Sequence, residues 1–421
     1  MLIHHDSYPS KGRSGKPITL GVCRVADRTR ATGPRTLLTT EVRMARTGHL
    51  DGRPIRDPGI RNNAVVAENG IGRTLRAVFV GRHGHRPVPE PLRVRSAHEA
   101  LPGGELLWQS LLGWFGNGGG ECDVAPLGAD DEPLFALDTT LQMIERHPYD
   151  VVCFPGLADL VRTPDGHVDL EDFGAAQRMI VEACIATGDR LAVLDPPPGL
   201  TPQQMRDWRV DVVGADTPHA VIYYPWLRIA DGADLAWVPP SGHVLGAWAR
   251  AARHGGLLSG LGNLELADVL DVAVNVNTAE QELLTQLNVN LLRAMPSWGV
   301  RTWGARTMSV SPWLFQIPTA RLLAALKPVV LDRIEMFPSA GHIELVAHID
   351  SAMRGISGLA DDAFVVRSLS AAGAAMRIEI ELNPRVTHGY PLTIVIELPA
   401  GTWTVLETEH SLDNPPTDPR G

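Results

Sequence analysis

The sequence predicts an α/β protein with a largely parallel sheet, followed by a smaller α+β region. Predicted strands and helices alternate from about residue 135 onward, as they do in the crossover units that join parallel strands. The pattern changes after Val300–Trp303, where two helices precede a series of strands. The chain has 421 residues, 44% hydrophobic and 20% charged. That composition suits two or three domains with buried cores and excludes a wholly disordered or fibrous protein.

The first 74 residues differ in composition from the rest of the chain. They are rich in Arg, Gly, Pro and Thr, and only Ile18–Arg24 and Arg35–Met44 have short strand patterns. We therefore expect an arm over residues 1–74 and a strand with its connection over residues 75–100. The strand is Arg76–Gly81, because its β-branched and aromatic run ends at a glycine.

The elements of the α/β part follow from apolar periodicity. A helix is predicted over Glu105–Phe115, where the apolar residues share one face and the glycines of Gly116–Gly120 end the helix. The later elements are the helices Leu134–Arg146 and Leu170–Thr187, the strands Asp150–Phe154, Arg190–Leu194, Ala220–Tyr224 and Leu235–Val238, and a helix from Ser241. The Ser241 hydroxyl is placed to cap that helix. The three consecutive prolines within Asp195–Leu200 interrupt the alternation.

The C-terminal part has a different order of elements. Its predicted helices are Thr319–Arg333 and Gly341–Met353, and its predicted strands are Met376–Leu382, Leu392–Glu397 and Thr402–Leu406. We place one domain over residues 101–305 and a second over residues 306–409. Residues 410–421 contain three prolines and no apolar periodicity, so we expect a disordered tail.

The net charge of -10 conceals a strong asymmetry. Residues 1–98 contain 18 Lys and Arg against 7 Asp and Glu, a net charge of +11, which leaves -21 for the rest. Such polarity is compatible with attraction between identical copies, with nucleic acid binding or with an acidic partner.

Cysteines and apolar runs exclude several other classes. Cys23, Cys122, Cys153 and Cys184 lie far apart without a CxxC spacing, so we predict buried thiols and neither disulfides nor a zinc site. No run reaches the ~18 to 20 apolar residues of a membrane-spanning helix, and the N-terminus lacks the apolar stretch of a secretion signal. We therefore expect a protein that assembles in the cytoplasm, or leaves the cell by lysis.

Potential reactive groups occur only in weak settings. Gly116–Gly120 has the glycine content of a phosphate loop but neither its sequence nor a preceding strand. The His83 and His85 pair, the acids of Asp130–Glu132 and the Asp361–Asp362 pair lie in polar stretches, where solvated loops are the better interpretation. Four tryptophans suggest a ligand cage but fit core or interface positions better: Trp237, Trp248, Trp298 and Trp303. No cofactor or metal is predicted.

Ser241–Gly242–His243 has the most enzyme-like pattern. A serine at a helix start with a nearby histidine suggests nucleophilic catalysis, but residues two apart face different sides of a helix and no GxSxG turn surrounds them. Helix capping is the better interpretation, and the lack of a reactive setting favours a structural or interaction protein. The alternatives are an α/β enzyme with its site near Asp195–Gly199, and nucleic acid binding by the Arg-rich N-terminus.

Several long blocks of sequence resemble one known family. They are, in chain order, Arg76–Val94 (RAVFVGRHGHRPVPEPLRV), Trp114–Val124 (WFGNGGGECDV), Arg190–Leu200 (RLAVLDPPPGL), Tyr223–Leu227 (YYPWL), Val238–Gly246 (VPPSGHVLG), Ala279–Leu284 (AEQELL) and Gly299–Ser309 (GVRTWGARTMS). Their order and spacing over residues 75 to 310 resemble the tail sheath proteins of contractile phage tails and bacterial injection systems.

The resemblance implies a fold and a function. It implies a middle domain with a subtilisin-like fold and no protease role, a C-terminal domain that packs against an inner tube, and extended terminal arms. Sheath proteins form stacked hexameric rings around the tube and contract to drive it through a target membrane. The implied partners are further copies of the chain, the inner tube protein, and baseplate and cap proteins, without nucleic acid or membrane insertion.

The resemblance also selects residues. The family-motif residues are Tyr224, Pro225, Pro239, Pro240, Gly242, His243, Trp303, Gly304, Ala305 and Arg306. Because sheath arms add strands to sheets of neighbouring subunits, the candidate inter-subunit strands are those that contain Arg35, Thr39, Val42, Met44, Thr402, Trp403, Thr404, Val405 and Leu406. The helix at Gly341–Met353 is the candidate tube-facing surface. Residues 1–74 lack the family's PGVYVEE-like motif, and residues 340–390 resemble the family's sequence poorly. A specialised sheath paralogue at the baseplate or cap is therefore an alternative.

Overall fold

A computed structural model describes most of the chain after residue 74. The described residues are 75–82, 90–99, 104–127, 132–337, 342–356, 359–370, 376–387, 389, 391–398 and 402–407. The predicted strands Ile18–Arg24 and Arg35–Met44, the pair His83 and His85, and the predicted tail lie outside them.

The described residues contain sixteen strands and nine α-helices. The strands are β1 Ala77–Arg82, β2 Leu92–Val94, β3 Cys122–Leu127, β4 Val151–Cys153, β5 Leu191–Leu194, β6 Ala220–Tyr224, β7 Leu227–Asp231, β8 Asp234–Val238, β9 Glu265–Leu266, β10 Val269–Val272, β11 Val289–Met295, β12 Gly299–Trp303, β13 Phe364–Ser370, β14 Met376–Leu382, β15 Leu392–Leu398 and β16 Thr402–Glu407. The helices are α1 Glu105–Gly116, α2 Pro133–Glu145, α3 Leu157–Leu160, α4 Leu170–Thr187, α5 Pro202–Asp207, α6 Ser241–Gly255, α7 Thr278–Gln286, α8 Ile317–Met336 and α9 His342–Arg354.

The largest sheet is mainly parallel, as predicted. Among the described strands its order is β2-β3-β1-β4-β5-β6-β11-β12-β9. Neighbours from β3 to β11 are parallel, whereas β2, β12 and β9 pair antiparallel at the two edges. Crossover connections between parallel strands place helices on both faces of such a sheet.

Each face of this sheet has its own apolar core. Alternate residues of the central strands point to opposite sides, so Val152 belongs to one core and Val151 to the other. The first core is completed by residues of α2, α4, α5 and α7. The second is completed by α1, α6 and the start of α8, together with a three-stranded sheet of order β10-β7-β8.

The C-terminal elements enclose a third core. The antiparallel sheet β13-β14-β15-β16 packs its apolar face against α8 and α9 through residues such as Ile349, Ile380 and Ile394. Helix α8 contributes to two cores, because Ile317 and Ala324 lie in the second core and Leu326 lies in the third. The start of α8 is therefore packed on the α/β part and its middle on the C-terminal sheet.

Most predicted elements are confirmed within a few residues. Helix α4 and strands β6 and β14 have the predicted bounds. Strands β7, β11 and β13 and helix α7 are additions that the apolar pattern did not indicate. Gly116 is the last residue of α1, and the chain leaves the helix at Asn117, so the predicted helix end in the glycine-rich stretch is confirmed.

Candidate functional site

The candidate C-terminal assembly strand lies at a sheet edge. Residues Thr402, Trp403, Thr404, Val405 and Leu406 all belong to β16, which pairs antiparallel with β15 in a register that sets Val405 opposite Ile394. Val405 is buried in the third core and Thr404 is half-buried. No described strand pairs with the other side of β16, so its outer main-chain groups form an open edge. The N-terminal candidates Arg35, Thr39, Val42 and Met44 lie outside the described residues.

The motif residues Tyr224 and Pro225 lie at the end of β6. Tyr224 is buried, and its hydroxyl donates a hydrogen bond of 2.8 Å to the Leu200 carbonyl. The Tyr224–Pro225 peptide bond is cis. In the motif before α6, Pro239 and Pro240 are both buried, and Pro240 is the residue before the first helical position. These motif residues therefore serve packing and chain direction.

The motif residues Trp303–Arg306 are held in place by hydrogen bonds to a buried asparagine. Asn290 on β11 donates from its Nδ2 to the carbonyls of Ile222 at 3.2 Å and Arg306 at 2.7 Å, and its Oδ1 accepts from the Arg306 N–H at 2.8 Å. Gly304 has φ +134°, and a Cβ there would lie 2.8 Å from Asn290 Oδ1, so this position needs glycine.

The other residues of the Trp303–Arg306 motif are also held by contacts with neighbouring elements. The Ala305 carbonyl accepts from the N–H of Ile317, where α8 begins. The guanidinium of Arg306 donates to the Thr285 carbonyl at 3.0 Å, and burial lowers its pKa. Trp303 is half-buried beneath the guanidinium of Arg293 at 5.6 Å. The Trp303–Arg306 motif thus joins β6, β11 and α8.

The predicted cap of α6 by the Ser241 hydroxyl is wrong. No side chain of the chain segment before α6 caps its first turn. Asp195, which follows β5, takes this role instead: its carboxylate accepts from Ser241 N–H at 2.8 Å and from Ser241 Oγ at 2.6 Å. A carboxylate at a helix N-terminus satisfies free N–H groups and interacts favourably with the helix dipole. Burial raises the pKa of Asp195 to about 7, although both bonds from Ser241 act in the opposite direction.

His243 takes no part in this pair. It is 3% exposed, its Nδ1 has no hydrogen-bond partner, and burial lowers its pKa to about 4. Ser241 is fully buried and donates to Asp195, not to an imidazole. A serine nucleophile needs an adjacent base and access to substrate, so this arrangement lacks the relay that activates a serine.

Glycines bring α6 into direct contact with α1. A Cβ at Gly242 would lie 2.1 Å from the Ser110 carbonyl oxygen, and a Cβ at Gly246 would lie 2.4 Å from the Trp114 carbonyl oxygen. Gly113 makes room for the His243 ring in the same way, since its Cβ would lie 2.3 Å from Nδ1. The motif residues Gly242 and His243 therefore belong to a close helix contact.

The other predicted positions are dispersed. Trp248 is buried in the second core and Trp303 packs on the first, whereas Trp237 and Trp298 are 45% and 57% exposed, so the four rings form no cage. Glu132 accepts from the Phe135 N–H as the cap of α2. The described cysteines, Cys122, Cys153 and Cys184, are free and buried, as predicted.

Among the described residues, no group of three or more His, Cys, Asp or Glu side chains is placed to hold a metal ion. None of the described helices combines the length and apolar composition that crossing a membrane requires.

Asp195 and Asn290 carry contacts that the local sequence does not reveal. The partner of Asp195 is 46 residues away along the chain. The isolated amide of Asn290 within the apolar run of β11 is a signal for a buried hydrogen-bonding group. It does not indicate which segments that group joins.

Known sheath proteins have this fold. The helical sheath of the anti-feeding prophage in its contracted state is 18% identical with a TM-score of 0.55, covering 86% of this chain and 98% of that chain. The sheath complex of the PVC extracellular contractile injection system in its contracted state is 18% identical with a TM-score of 0.53, covering 85% and 94%. A sheath tail protein from Listeria innocua is 11% identical with a TM-score of 0.54, covering 80% and 96%.

Sequence comparison gives a family for the central part. No curated protein matches the chain. Residues 136–308 match the family model of the phage tail sheath protein central domain. That segment contains Asp195, α6, Asn290 and all ten family-motif residues. Over residues 136–308, the chain is therefore similar to the phage tail sheath proteins.

Proposed function

We propose that the chain is a structural sheath subunit of a contractile tail or injection system. The observation that carries the proposal is the match of residues 136–308 to the sheath central domain within a fold shared with sheath subunits over most of the chain. The subunits polymerise as stacked hexameric rings around an inner tube, and contraction drives the tube through a target membrane. Assembly takes place in the bacterial cytoplasm.

The proposed subunit has rigid domains and linking arms. The middle domain, residues 101–305, corresponds to the subtilisin-like part and the C-terminal domain, residues 306–409, to the tube-facing part. Residues 1–74 and the end of the chain are the arms. An arm that adds a strand to a neighbour's sheet is held by main-chain hydrogen bonds while the rigid body moves. The open outer edge of β16 supports this role for Thr402–Leu406, and Arg35–Met44 is the proposed N-terminal counterpart.

Charge favours association between copies. Residues 1–98 carry +11 and the remainder -21, so faces of opposite charge meet when copies pack closely. Single exposed ion pairs contribute only ~0 to 1 kcal/mol, and their effect becomes large only through repetition in the lattice. Raising the salt concentration should destabilise the assembled sheath because salt screens this attraction, and unchanged sheath length and stability would count against this contribution.

The proposed partners are the inner tube protein, which α9 faces, and baseplate and cap proteins. The unfamiliar residues 1–74 favour one second candidate, a specialised paralogue at the baseplate or cap, which would join a sheath without forming one alone. Neither nucleic acid nor membrane insertion is part of the proposal.

Electron microscopy of the expressed chain, alone and with its tube protein, tests the proposal. Hollow striated cylinders are expected, and a chain that remains monomeric in both samples contradicts the sheath function. Deletion of residues 1–46 should abolish the cylinders while leaving the folded core. Cylinders of wild-type length from that deletion would contradict the role of the N-terminal arm.

The proposal includes no enzymatic activity. Asp195 is bonded to Ser241, and the Pro196 carbonyl accepts from Trp226 Nε1 at 2.8 Å, so the turn proposed as an alternative active site is engaged in packing. Ser241→Ala should leave cylinder formation and contraction unchanged. Loss of contraction in a variant that still assembles would revive a chemical role for Ser241.

A further inference from the structure

A groove with largely apolar walls opens beside α1. It lies between α1 and β7 and has a volume of about 600 Å³, which is enough space for a large side chain and the residues next to it. The residues that line it include Leu112, Gly113, Phe115, Ile229, Ala230 and His243. We call this space the α1 groove.

The ring of His243 brings a free hydrogen-bonding group into the α1 groove. The residue is only 3% exposed, and it lies where the ring lines the groove. No described residue forms a hydrogen bond with the ring, and Nδ1 is sealed against Gly113, so Nε2 is the nitrogen left for a ligand. Burial lowers the pKa of His243 to about 4, so the ring is neutral near pH 7. Since no described partner fixes its tautomer, Nε2 is able to accept a hydrogen bond.

The properties of the α1 groove select its occupant. The groove suits a side chain with an apolar body and a hydrogen-bond donor, which is the chemistry of tryptophan. Among the described large apolar side chains that are more than a third exposed, only Trp237 and Trp298 have such a donor. Trp237 lies within a sheet, opposite Arg228 on the next strand, so it cannot enter a groove without the strands around it. Trp298 lies in the turn between β11 and β12 and is 57% exposed.

The turn holds Trp298 in a defined position. Met295 pairs with Gly299 across the hairpin, and the Trp298 N–H donates to the Met295 carbonyl at 3.0 Å. Arg301 Nε donates to the Trp298 carbonyl at 3.1 Å, and its guanidinium lies 5.7 Å from the centre of the indole ring. A side chain that is held in place before binding loses less conformational entropy when it binds. Trp298 therefore has the properties of an interface anchor.

Charged groups of both signs surround the anchor and the groove. Arg95 and Asp268 line the α1 groove and are exposed. Beside Trp298, Arg301 and Glu265 form an ion pair of 3.1 Å. When the hairpin of one copy meets the groove of another, Arg301 can face Asp268 while Glu265 faces Arg95. Exposed ion pairs contribute little free energy, so these charges orient the contact and the buried indole supplies most of the affinity.

We propose that Trp298 of one copy of this chain inserts into the α1 groove of a second copy, where its indole N–H donates a hydrogen bond to His243 Nε2. Trp298 is not among the residues that line the groove of its own chain. Each copy has one anchor and one groove, so the contact can repeat from copy to copy. The inference rests on the proposed function, because the sheath supplies the second copy, and it adds a side-chain contact that does not involve the arms.

The first test removes the anchor. In the full chain, Trp298→Ser should raise the protein concentration at which cylinders form at least about tenfold, as expected for the loss of an interface anchor. The side chain is more than half exposed, so the unfolding midpoint should change little. Trp237→Ser is the matched control, since Trp237 is 45% exposed and also lies beside an arginine, with Arg228 at 5.5 Å. An unchanged concentration for Trp298→Ser, or an equal rise for Trp237→Ser, would overturn the proposal.

The second test identifies the contact directly. A photoreactive phenylalanine analogue replaces Phe115 in isotopically labelled full chains, which are mixed with unlabelled chains and irradiated. Mixed-isotope cross-links to the peptide that contains Trp298 support the proposal. Cross-links confined to one chain, to other peptides or to the inner tube protein overturn it.

A groove-filling variant controls the cross-link. Ala230 is exposed and lines the α1 groove, so Ala230→Trp in the labelled chain should fill the groove and abolish the cross-link to Trp298. Persistence of that cross-link would place the contact elsewhere and overturn the proposal. The cross-link also reports contacts between soluble copies. A sample that cross-links at Trp298 but forms no cylinders would therefore contradict the sheath function and support this contact.

Discussion

The carboxylate of Asp195 performs a task that usually belongs to the residue before a helix. It is 6% exposed and binds both the N–H and the hydroxyl of Ser241, at the start of α6. The helix N-terminus supplies partial positive charge, but no described cation pairs with this carboxylate. Burial therefore outweighs the stabilising hydrogen bonds, and the pKa rises to about 7.

Asp195→Asn should change how stability depends on pH. The pKa of Asp195 is about 7 in the folded chain and near the ordinary 3.8 in the unfolded chain, so ionisation favours unfolding. The stability that the protonated carboxyl of Asp195 contributes to the folded chain is fully present below about pH 4 and is lost as pH rises to about 7. The variant should gain stability relative to wild type across that window, by at most about 4 kcal/mol. Urea unfolding at several pH values between 4 and 8 measures the difference.

Asp189→Asn is the matched control with the opposite sign. Burial alone would raise the pKa of Asp189, but hydrogen bonds and charge from Arg190 lower it overall. That carboxylate stabilises the folded chain above its unfolded pKa, so its loss should cost most at neutral pH and least in acid. Parallel pH profiles for Asp195→Asn and wild type would contradict the buried ionisation at Asp195.

Asn290→Ala should lower the free energy of unfolding by more than the small number of removed atoms suggests. The substitution removes two donors and one acceptor, leaving the Arg306 N–H and two carbonyls without their partner. Because unsatisfied buried groups cost about 1 to 3 kcal/mol each, we expect about 3 kcal/mol of destabilisation in denaturant unfolding.

Asn277→Ala provides the comparison for Asn290→Ala. Asn277 caps α7 with a 3.0 Å bond from Glu280 N–H, and loss of a cap costs about 1 kcal/mol. A smaller effect at Asn290 than at Asn277 would mean that water or a shifted loop replaces the amide.

At the scale of elements, the close approach of α1 and α6 depends on two glycines. A methyl group at Gly242 or Gly246 meets backbone carbonyl oxygens of α1, which cannot rotate away as a side chain would. In a free helix the change from glycine to alanine is favourable by about 1 kcal/mol. In this contact the steric clash with the carbonyl oxygens of α1 outweighs that gain, so the change to alanine destabilises the folded chain.

Gly242→Ala and Gly246→Ala should each destabilise the chain by about 3 kcal/mol or more, at the upper end for an overfilled core. Thermal unfolding followed by circular dichroism measures the loss. Gly262→Ala is the control, because no atom lies within 4 Å of a Cβ at Gly262, and its effect should stay within about 0.5 kcal/mol. Equal midpoints for all three variants would mean that the two helices separate at little cost.

Periodicity explains which elements the sequence predicts. Helix α4 and strand β6 have sustained apolar patterns and clear end signals, so both could be placed from the sequence. Strand β11 could not, because its four buried residues form a short run, interrupted by the polar Asn290, that suits a helix or a strand. Strand β7 has two buried and two exposed residues among five, which is too short for the pattern to stand out.

The candidate site was less predictable than the fold. The motif blocks indicated Tyr224, Gly242 and Gly304 through resemblance, but their contacts join residues far apart in the sequence. The Ser241 prediction was wrong because an aspartate 46 residues earlier competes for the same helix end. Local capping preferences contain no information about such a partner.

At the scale of the whole molecule, α8 couples the α/β part to the C-terminal part. It has 20 residues, about 30 Å of helix. Its first turns are buried in the second core and its middle in the third, and Lys327 Nζ donates to the Thr187 carbonyl at the end of α4. Unfolding either part would strip one side of α8 of its packing.

The two parts should therefore unfold in one cooperative transition. Ile394 in the third core and Ile180 in the first are both buried, and each change to alanine should cost about 2 to 5 kcal/mol. If α8 couples the parts, Ile394→Ala and Ile180→Ala each move the entire calorimetric peak to lower temperature, with calorimetric and van't Hoff enthalpies equal. A peak that splits in Ile394→Ala, with part of the enthalpy remaining at the wild-type temperature, would mean that the C-terminal part unfolds alone. In that case α8 acts as a hinge between two bodies, and the proposed contraction would bend the subunit at that helix.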